Sequence, residues 1–222
     1  MISNQKWMLH VALSLGVVLS AAEVRAQKLE TPGAPAAEAA PPTSSSAPTG
    51  FGDSGQFVLS AERLFGYTYS RRTGNPSSNS FTVLAQPFGT GTYAYGAPRI
   101  GFDGFVTKSF SLGGSLSFFR TSAGNGSTTG FEVAPRIGYG MMVGPWLGVW
   151  PRIGVTYVYA STDGPSLKYL ALTVEGLLAI VVSPHLVITF GPTLDLGLSG
   201  SVGTTGIKNT DVGVYFGLAI PF

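Results

Sequence analysis

The stretch VGVYFGLAIPF, residues 212–222, decides how the chain reads. Val212, Val214, Phe216, Leu218, Ile220 and Phe222 take every second position, and Gly213, Tyr215, Gly217, Ala219 and Pro221 fill the others. Successive side chains of a strand point to opposite faces. A period of two therefore predicts a strand with one apolar face and one face of mostly small residues.

The same period runs back through the chain. It predicts strands over residues 55–69, 99–106, 110–120, 131–142, 146–160, 168–182 and 186–198, which with the last makes eight. Phe57, Leu59, Phe65, Tyr67 and Tyr69 share one phase of the first, and Ile153, Val155, Tyr157 and Tyr159 one phase of the fifth. The connections alternate in kind. TKS, VGP and SPH are tight, whereas AGNGSTTG, STDGPS and GSVGTTGIKN are longer and polar. The longest, residues 70–98, carries an apolar piece of its own, FTVLAQPF.

Composition says which face meets which medium. Charged residues are 11% of the chain, against about 25% in ordinary soluble domains. A soluble barrel puts apolar residues inside. Here one strand face carries Phe, Leu, Ile, Val and Tyr, and the other mostly Gly, Ser, Thr and Ala with isolated charges. An eight-stranded interior is only wide enough to be filled by side chains, so the bulky face is expected outside. In water such a belt invites aggregation; in lipid it is required, since only helices and closed barrels satisfy their backbone there. Aromatics near both strand ends (Tyr67, Tyr69, Phe118, Tyr157 and Tyr159 at one, Phe57, Phe110 and Phe222 at the other) fit two interfacial girdles. The expectation is an all-β, eight-stranded antiparallel transmembrane β-barrel, an up-and-down meander, over residues 55–222.

Ahead of it, Lys6, an apolar run from Trp7 to Leu19 and Val24-Arg25-Ala26 read as a secretory signal peptide over residues 1–26. Residues 27–54 are Pro/Ala/Ser-rich and read as a disordered periplasmic linker. A net charge of +2 without a Lys/Arg cluster argues against nucleic acid. With no cysteine there is no disulfide or thiolate chemistry.

A signal peptide, eight amphipathic strands and a terminal phenylalanine with apolar residues at alternate positions resemble the bacterial outer-membrane β-barrel proteins, in particular the small OmpA/OmpX-like barrels. The resemblance implies a monomer in the cell outer membrane of a Gram-negative envelope, surrounded by outer-membrane lipid. It also implies that the last strand (Phe216, Leu218, Ile220 and Phe222) is read by the barrel-assembly machinery.

The candidate site is the set of charges on the inward phase: Glu62, Arg99, Asp103, Glu132, Arg136, Arg152, Glu175 and Asp195. Three of the arginines stand in copies of one motif, PRIG, at Pro98, Pro135 and Pro151. Each Arg is expected to face the lumen and meet Asp103, Glu132, Glu175 or Asp195, with a bulge or strand edge at each mid-strand proline, which lacks a ladder donor. Hairpins centred on Gly144, between Asp163 and Gly164, and on His185 would set Arg136 opposite Arg152, Arg152 opposite Glu175, and Glu175 opposite Asp195. Arg63 falls on the outward phase unless a bulge intervenes. Unpaired charge in a narrow lumen is costly, and a mixed Arg–carboxylate network offsets that cost while blocking the bore. The expected role is structural or surface-interacting; the alternative is a narrow porin-like channel for ions or small solutes. With one histidine beyond the leader, His185, in a tight turn, the chain has no expected catalytic, metal or cofactor-binding residues and is not expected to be an enzyme.

Overall fold

A computed structural model describes residues 50–74, 77–83, 86–89, 97–123, 126–162 and 164–222. Residues 1–49, which hold the span read as a signal peptide and most of the span read as a linker, lie outside the described residues.

Twelve strands form one antiparallel sheet. They are β1 (Phe57–Arg72), β2 (Ser78–Val83), β3 (Gln86–Gly89), β4 (Arg99–Phe105), β5 (Phe110–Ala123), β6 (Gly126–Tyr139), β7 (Met141–Met142), β8 (Leu147–Thr162), β9 (Leu167–Ser183), β10 (Leu186–Val202), β11 (Thr205–Gly206) and β12 (Asn209–Pro221). Eight of them, β1, β4, β5, β6, β8, β9, β10 and β12, pair neighbour to neighbour, and β12 returns to β1 to close the barrel. Closure leaves the ring without a free edge. The apolar piece of the long first connection forms β2 and β3: β2 pairs with the upper half of β1 (Phe65–Ser70), above the part that pairs with β4.

The barrel is inside-out. In β12 every odd residue from Asn209 to Pro221 is buried, and the even residues from Val212 are exposed. Ile100, Phe102, Leu112, Leu116, Phe118 and Ile137 are among the large apolar side chains on the outside. All of the buried charges are on the inside. That distribution suits a lipid bilayer, and the strands, at 13 to 17 residues for β1, β8, β9, β10 and β12, exceed the roughly 9–11 needed to cross one. Phe216, Leu218, Ile220 and Phe222 all face outward.

The lumen is not uniformly polar. At the end where β1 begins, Phe51, Val58, Phe105, Trp150, Leu177, Ala179, Val187 and Ala219 pack into an apolar layer. At the other end Val158, Tyr169 and Ala171 pack with Phe119, Leu167 and Ile207. Charges occupy the section between. The expectation of a lumen lined by small residues and isolated charges is thus corrected: it holds for the middle, whereas the turn end is filled by large rings.

Phe51 lies within the span read as linker, and its burial moves the start of the packed chain ahead of residue 55. Its ring meets Phe105 and Trp150 edge-on, with centroids 5.5 and 5.2 Å away. A turn holds it there. The Gly52 amide donates to Gln56 Oε1 at 2.8 Å, and Gln56 Nε2 donates to the Gly50 carbonyl at 3.0 Å. The Ser109 amide donates to the Gly52 carbonyl at 2.8 Å. Gly52 has φ +93°, and a Cβ there would meet the Gly140 carbonyl oxygen at 2.9 Å, so only glycine fits.

Two registers differ from the hairpins drawn on sequence. The β6–β8 ladder places Arg136 opposite Gly154 and Arg152 opposite Gly138, which centres that hairpin on Pro145 instead of Gly144. The β9–β10 ladder places Glu175 opposite Thr193 and Asp195 opposite Thr173, with an irregularity between Leu186 and Val187. The third register is as drawn: Arg152 faces Glu175 across β8–β9.

The mid-strand prolines do not make bulges. Pairing in β6–β8 stops at Val133–Tyr157 and resumes at Arg136–Gly154 in the same register, skipping Pro135. Around Pro192 the β9–β10 ladder skips from Phe190–Leu178 to Thr193–Glu175, again in register. Pro151 stands where pairing of β8 passes from β6 to β7. A missing donor thus removes a rung without adding a residue. Pro98 immediately precedes β4, at a strand edge.

Candidate functional site

β1 carries the bulge that organises the lumen. Its register against β12 shifts between Ala61 and Phe65, and Arg63 takes φ 55°. A bulge breaks the in–out alternation. As a result Glu62 and Arg63, neighbours in sequence, are both buried. Arg63 therefore faces the lumen, contrary to the phase read from strict alternation.

Around this pair a chain of ions alternates in sign across the bore. The forked guanidinium of Arg136 donates to both oxygens of Glu62, Nη2 to Oε1 at 2.6 Å and Nη1 to Oε2 at 2.7 Å. It also donates to Asp103, from Nε at 3.1 Å and Nη2 at 2.5 Å. Glu62 Oε1 accepts further from Arg152 Nη1 at 2.8 Å and from Ser60 Oγ at 2.8 Å. Arg152 Nη2 then reaches Glu175 Oε2 at 2.7 Å. Arg63 links Glu175, at 3.5 Å, to Asp195, at 3.0 Å. The order Asp103–Arg136–Glu62–Arg152–Glu175–Arg63–Asp195 draws on β4, β6, β1, β8, β9 and β10. Such paired, forked contacts are what makes buried charge tolerable.

Neutral groups complete the shell. Thr173 Oγ1 donates to Asp195 Oδ1 at 2.6 Å and shares a hydrogen bond with Thr156 at 2.6 Å. The Arg63 guanidinium lies 4.9 Å from the centroid of Tyr215, whose hydroxyl bonds Thr68. Arg152 lies 4.6 Å over the ring of Trp150, and Trp150 Nε1 donates to Ser111 Oγ at 3.1 Å. Arg99, on β4, pairs with Glu132, on β6.

The PRIG glycines have a role in this packing. A Cβ on Gly101 would come within 2.7 Å of Arg136 Nη2, and one on Gly154 within 2.7 Å of Arg136 Cβ. A Cβ on Gly138 would stand 3.1 Å from Arg152 Cγ. The glycine of one copy makes room for the arginine of another. Gly154→Ala is expected to cost about 1–3 kcal/mol through overpacking, whereas Gly144→Ala, with nothing within 4 Å of the added carbon, should stay within about 0.5 kcal/mol. Urea unfolding of the two variants in detergent micelles checks the contrast, and equal losses would refute it.

All eight inward charges named from sequence lie in the lumen, each no more than 6% exposed. The PRIG arginines meet Glu132, Asp103, Glu175 and also Glu62. Asp195 is met instead by Arg63, which strict alternation put outside. Asp211, on the odd phase of β12 and 1% exposed, belongs to the same wall. Its position one residue before Val212 in the opening alternation was the signal for it. His185 is exposed in the β9–β10 turn. Among the described residues no group of three or more His, Asp or Glu could hold a metal ion.

With this geometry in view, the chain can be set beside known proteins. No protein-family model matches it, and no curated protein does. Among solved structures, Neisserial surface protein A is similar over 76% of this chain and 98% of its own, at TM-score 0.54 and 13% identity. The fold is that of the small outer-membrane barrels. Similarity extends to the Yersinia pestis attachment invasion locus protein Ail (76% of this chain, 99% of that one, TM-score 0.46, 10% identity). It also extends to OprG of Pseudomonas aeruginosa (77% and 97%, TM-score 0.47, 10% identity). At these identities the likeness is one of architecture.

Proposed function

We propose that the chain is a monomeric protein of the Gram-negative cell outer membrane whose barrel is sealed, with a structural or surface-interaction role. In this reading a cleaved signal peptide sends it to the periplasm. The barrel-assembly machinery takes up its last strand through Phe216, Leu218, Ile220 and Phe222. Both barrel ends of the chain, Phe57 and Phe222, pair at the turn end, which then faces the periplasm, and the longer loops face outward.

The observation that carries the sealed reading is the seven-membered chain of alternating ions across the bore, closed above and below by apolar side chains. A conducting pore needs a continuous wet path with exchangeable sites. Here the guanidinium groups are committed to carboxylates and to ring faces. In planar bilayers the purified protein is expected to give no stable conductance steps. Steady single-channel steps that vanish on replacing Glu175 or Arg152 would overturn the sealed reading in favour of a pore.

A further inference from the structure

The ions of the lumen do not balance. Among the described residues its buried charges are six carboxylates and four guanidinium groups, an excess of two negative charges. Ion pairs reach Glu62, Asp103, Glu132, Glu175 and Asp195; among the described residues none reaches Asp211. Asp211 is 1% exposed and stands directly opposite Asp195 in the β10–β12 ladder. Like charges so placed repel. Asp195 is answered by Arg63 and Thr173, whereas Asp211 has no cation of its own.

Beside it stands a second unanswered acceptor. Asn209, 3% exposed, donates from Nδ2 to Asp211 Oδ1 at 2.9 Å. Its own Oδ1 and the Oδ2 of Asp211 are both buried without a hydrogen-bond partner among the described residues. Ser70, 1% exposed, faces Asp211 across the β1–β12 ladder and adds a hydroxyl on the lumen side. Acceptors left over in a well-paired interior point to an ion or a water that belongs there. A water would serve both oxygens and leave the excess charge. A proton on Asp211 would remove one charge and leave Asn209 Oδ1 unanswered. A cation meets both needs. Arg72 does not supply it: half-buried opposite Asn209, it turns its guanidinium to the ring of Tyr169, 6.0 Å from the centroid.

We propose that Asp211, Asn209 and Ser70 bind a divalent hard cation, calcium, inside the loop end of the lumen. The donors are all oxygens, the choice of hard cations over zinc or iron. Calcium takes carboxylate, amide and water oxygens in flexible number, whereas magnesium demands a near-ideal octahedron and keeps its waters. One such ion cancels the excess of two charges. It also ties β1 to β12 and so clips the seam at which the barrel closes, at the end away from Phe57 and Phe222. The site stands on the closed barrel and is independent of whether the bore conducts.

With so few charged ligands the expected affinity is that of weak extracellular calcium modules, about 0.1–1 mM. The full chain is refolded in uncharged detergent micelles with chelator. Its urea midpoint is then followed by the heat-dependent gel shift as free calcium is raised to about 10 mM, well above that affinity. Wild type is expected to show a saturable rise in midpoint, since an ion that binds only the folded barrel stabilises it. D211N should lose the rise. R72Q, which takes away a neighbouring cation, should reach it at lower calcium. D163N should respond as wild type does; Asp163 belongs to the β8–β9 connection, outside the described residues, and is the other carboxylate a loop-end ion could use. A flat wild-type titration overturns the proposal. So does a rise that survives in D211N, one that is lost in D163N, or a weaker response in R72Q. Sodium chloride of equal ionic strength giving the same rise would mark screening and overturn it too. If D211N does not fold, N209A answers in its place, and an undiminished rise there counts against the site in the same way.

Discussion

Glu62→Ala is expected to destabilise the barrel by about 3–5 kcal/mol, the usual cost of stripping the partner from a buried ion pair. Glu62 accepts from Arg136 at 2.6 and 2.7 Å and from Arg152 at 2.8 Å. Its removal leaves two guanidinium groups, each no more than 6% exposed, without their shared carboxylate. Arg136 keeps Asp103 and Arg152 keeps Glu175, which holds the loss below the cost of isolating either ion. Glu62→Gln should be milder, since an amide oxygen still accepts from one fork while the charge is lost. The measurement is the urea midpoint in detergent micelles with the heat-dependent gel shift as readout of folding. A Glu62→Ala midpoint within error of wild type would show the central carboxylate to be dispensable.

The second large effect is expected at the opposite kind of contact. Trp150 is 0% exposed and is the largest fully buried side chain among the described residues. It packs on Phe51 and Phe105 at 5.2 and 5.9 Å between centroids. It also caps Arg152 at 4.6 Å and donates to Ser111. Trp150→Ala removes all four contacts and leaves a cavity in a wall that cannot collapse, because the β-ladder fixes the strand spacing. A loss of about 3–5 kcal/mol follows. Trp150→Phe keeps the ring contacts and should recover most of it. If both variants unfold alike, the hydrogen bond to Ser111 outweighs the packing. The experiment thus separates the apolar seal from the polar tether.

What the sequence discloses here follows from how barrels encode themselves. Alternation needs only local bookkeeping, so the phase of Leu112, Leu116 and Phe118, or of the β12 residues, is readable without any partner strand. The eight inward charges are readable for the same reason. Arg63 is readable only as an anomaly: a mid-strand cation on the lipid-facing phase of Ala-Glu-Arg-Leu points to a bulge, but a bulge adds residues to one strand only, and nothing local fixes where they sit. Phe51 is hidden by its neighbours: a single aromatic among Gly, Asp and Ser has no period to belong to. Registers fail by small amounts when a hairpin centre is misplaced by one residue. That is enough to move Arg136 from Arg152 to Gly154. The longer-range pairing of Arg63 with Asp195, 132 residues apart, depends on closure of the ring and leaves no local trace.

The bulge in β1 has a consequence for the order of folding. It projects two consecutive ions from the first barrel strand, and their partners lie 74, 90, 112 and 132 residues downstream. Contacts of that span form only after the long intervening chain has been ordered. Until β12 reaches β1, the chain is a curled sheet with a hydrated, charged inner surface. Glu62 and Arg63 arrive on the last seam to close, carrying the ions that neutralise Arg136, Arg152 and Asp195. Docking of the seam and drying of the bore therefore belong to one event, and a barrel arrested before it would have no dry core to protect it.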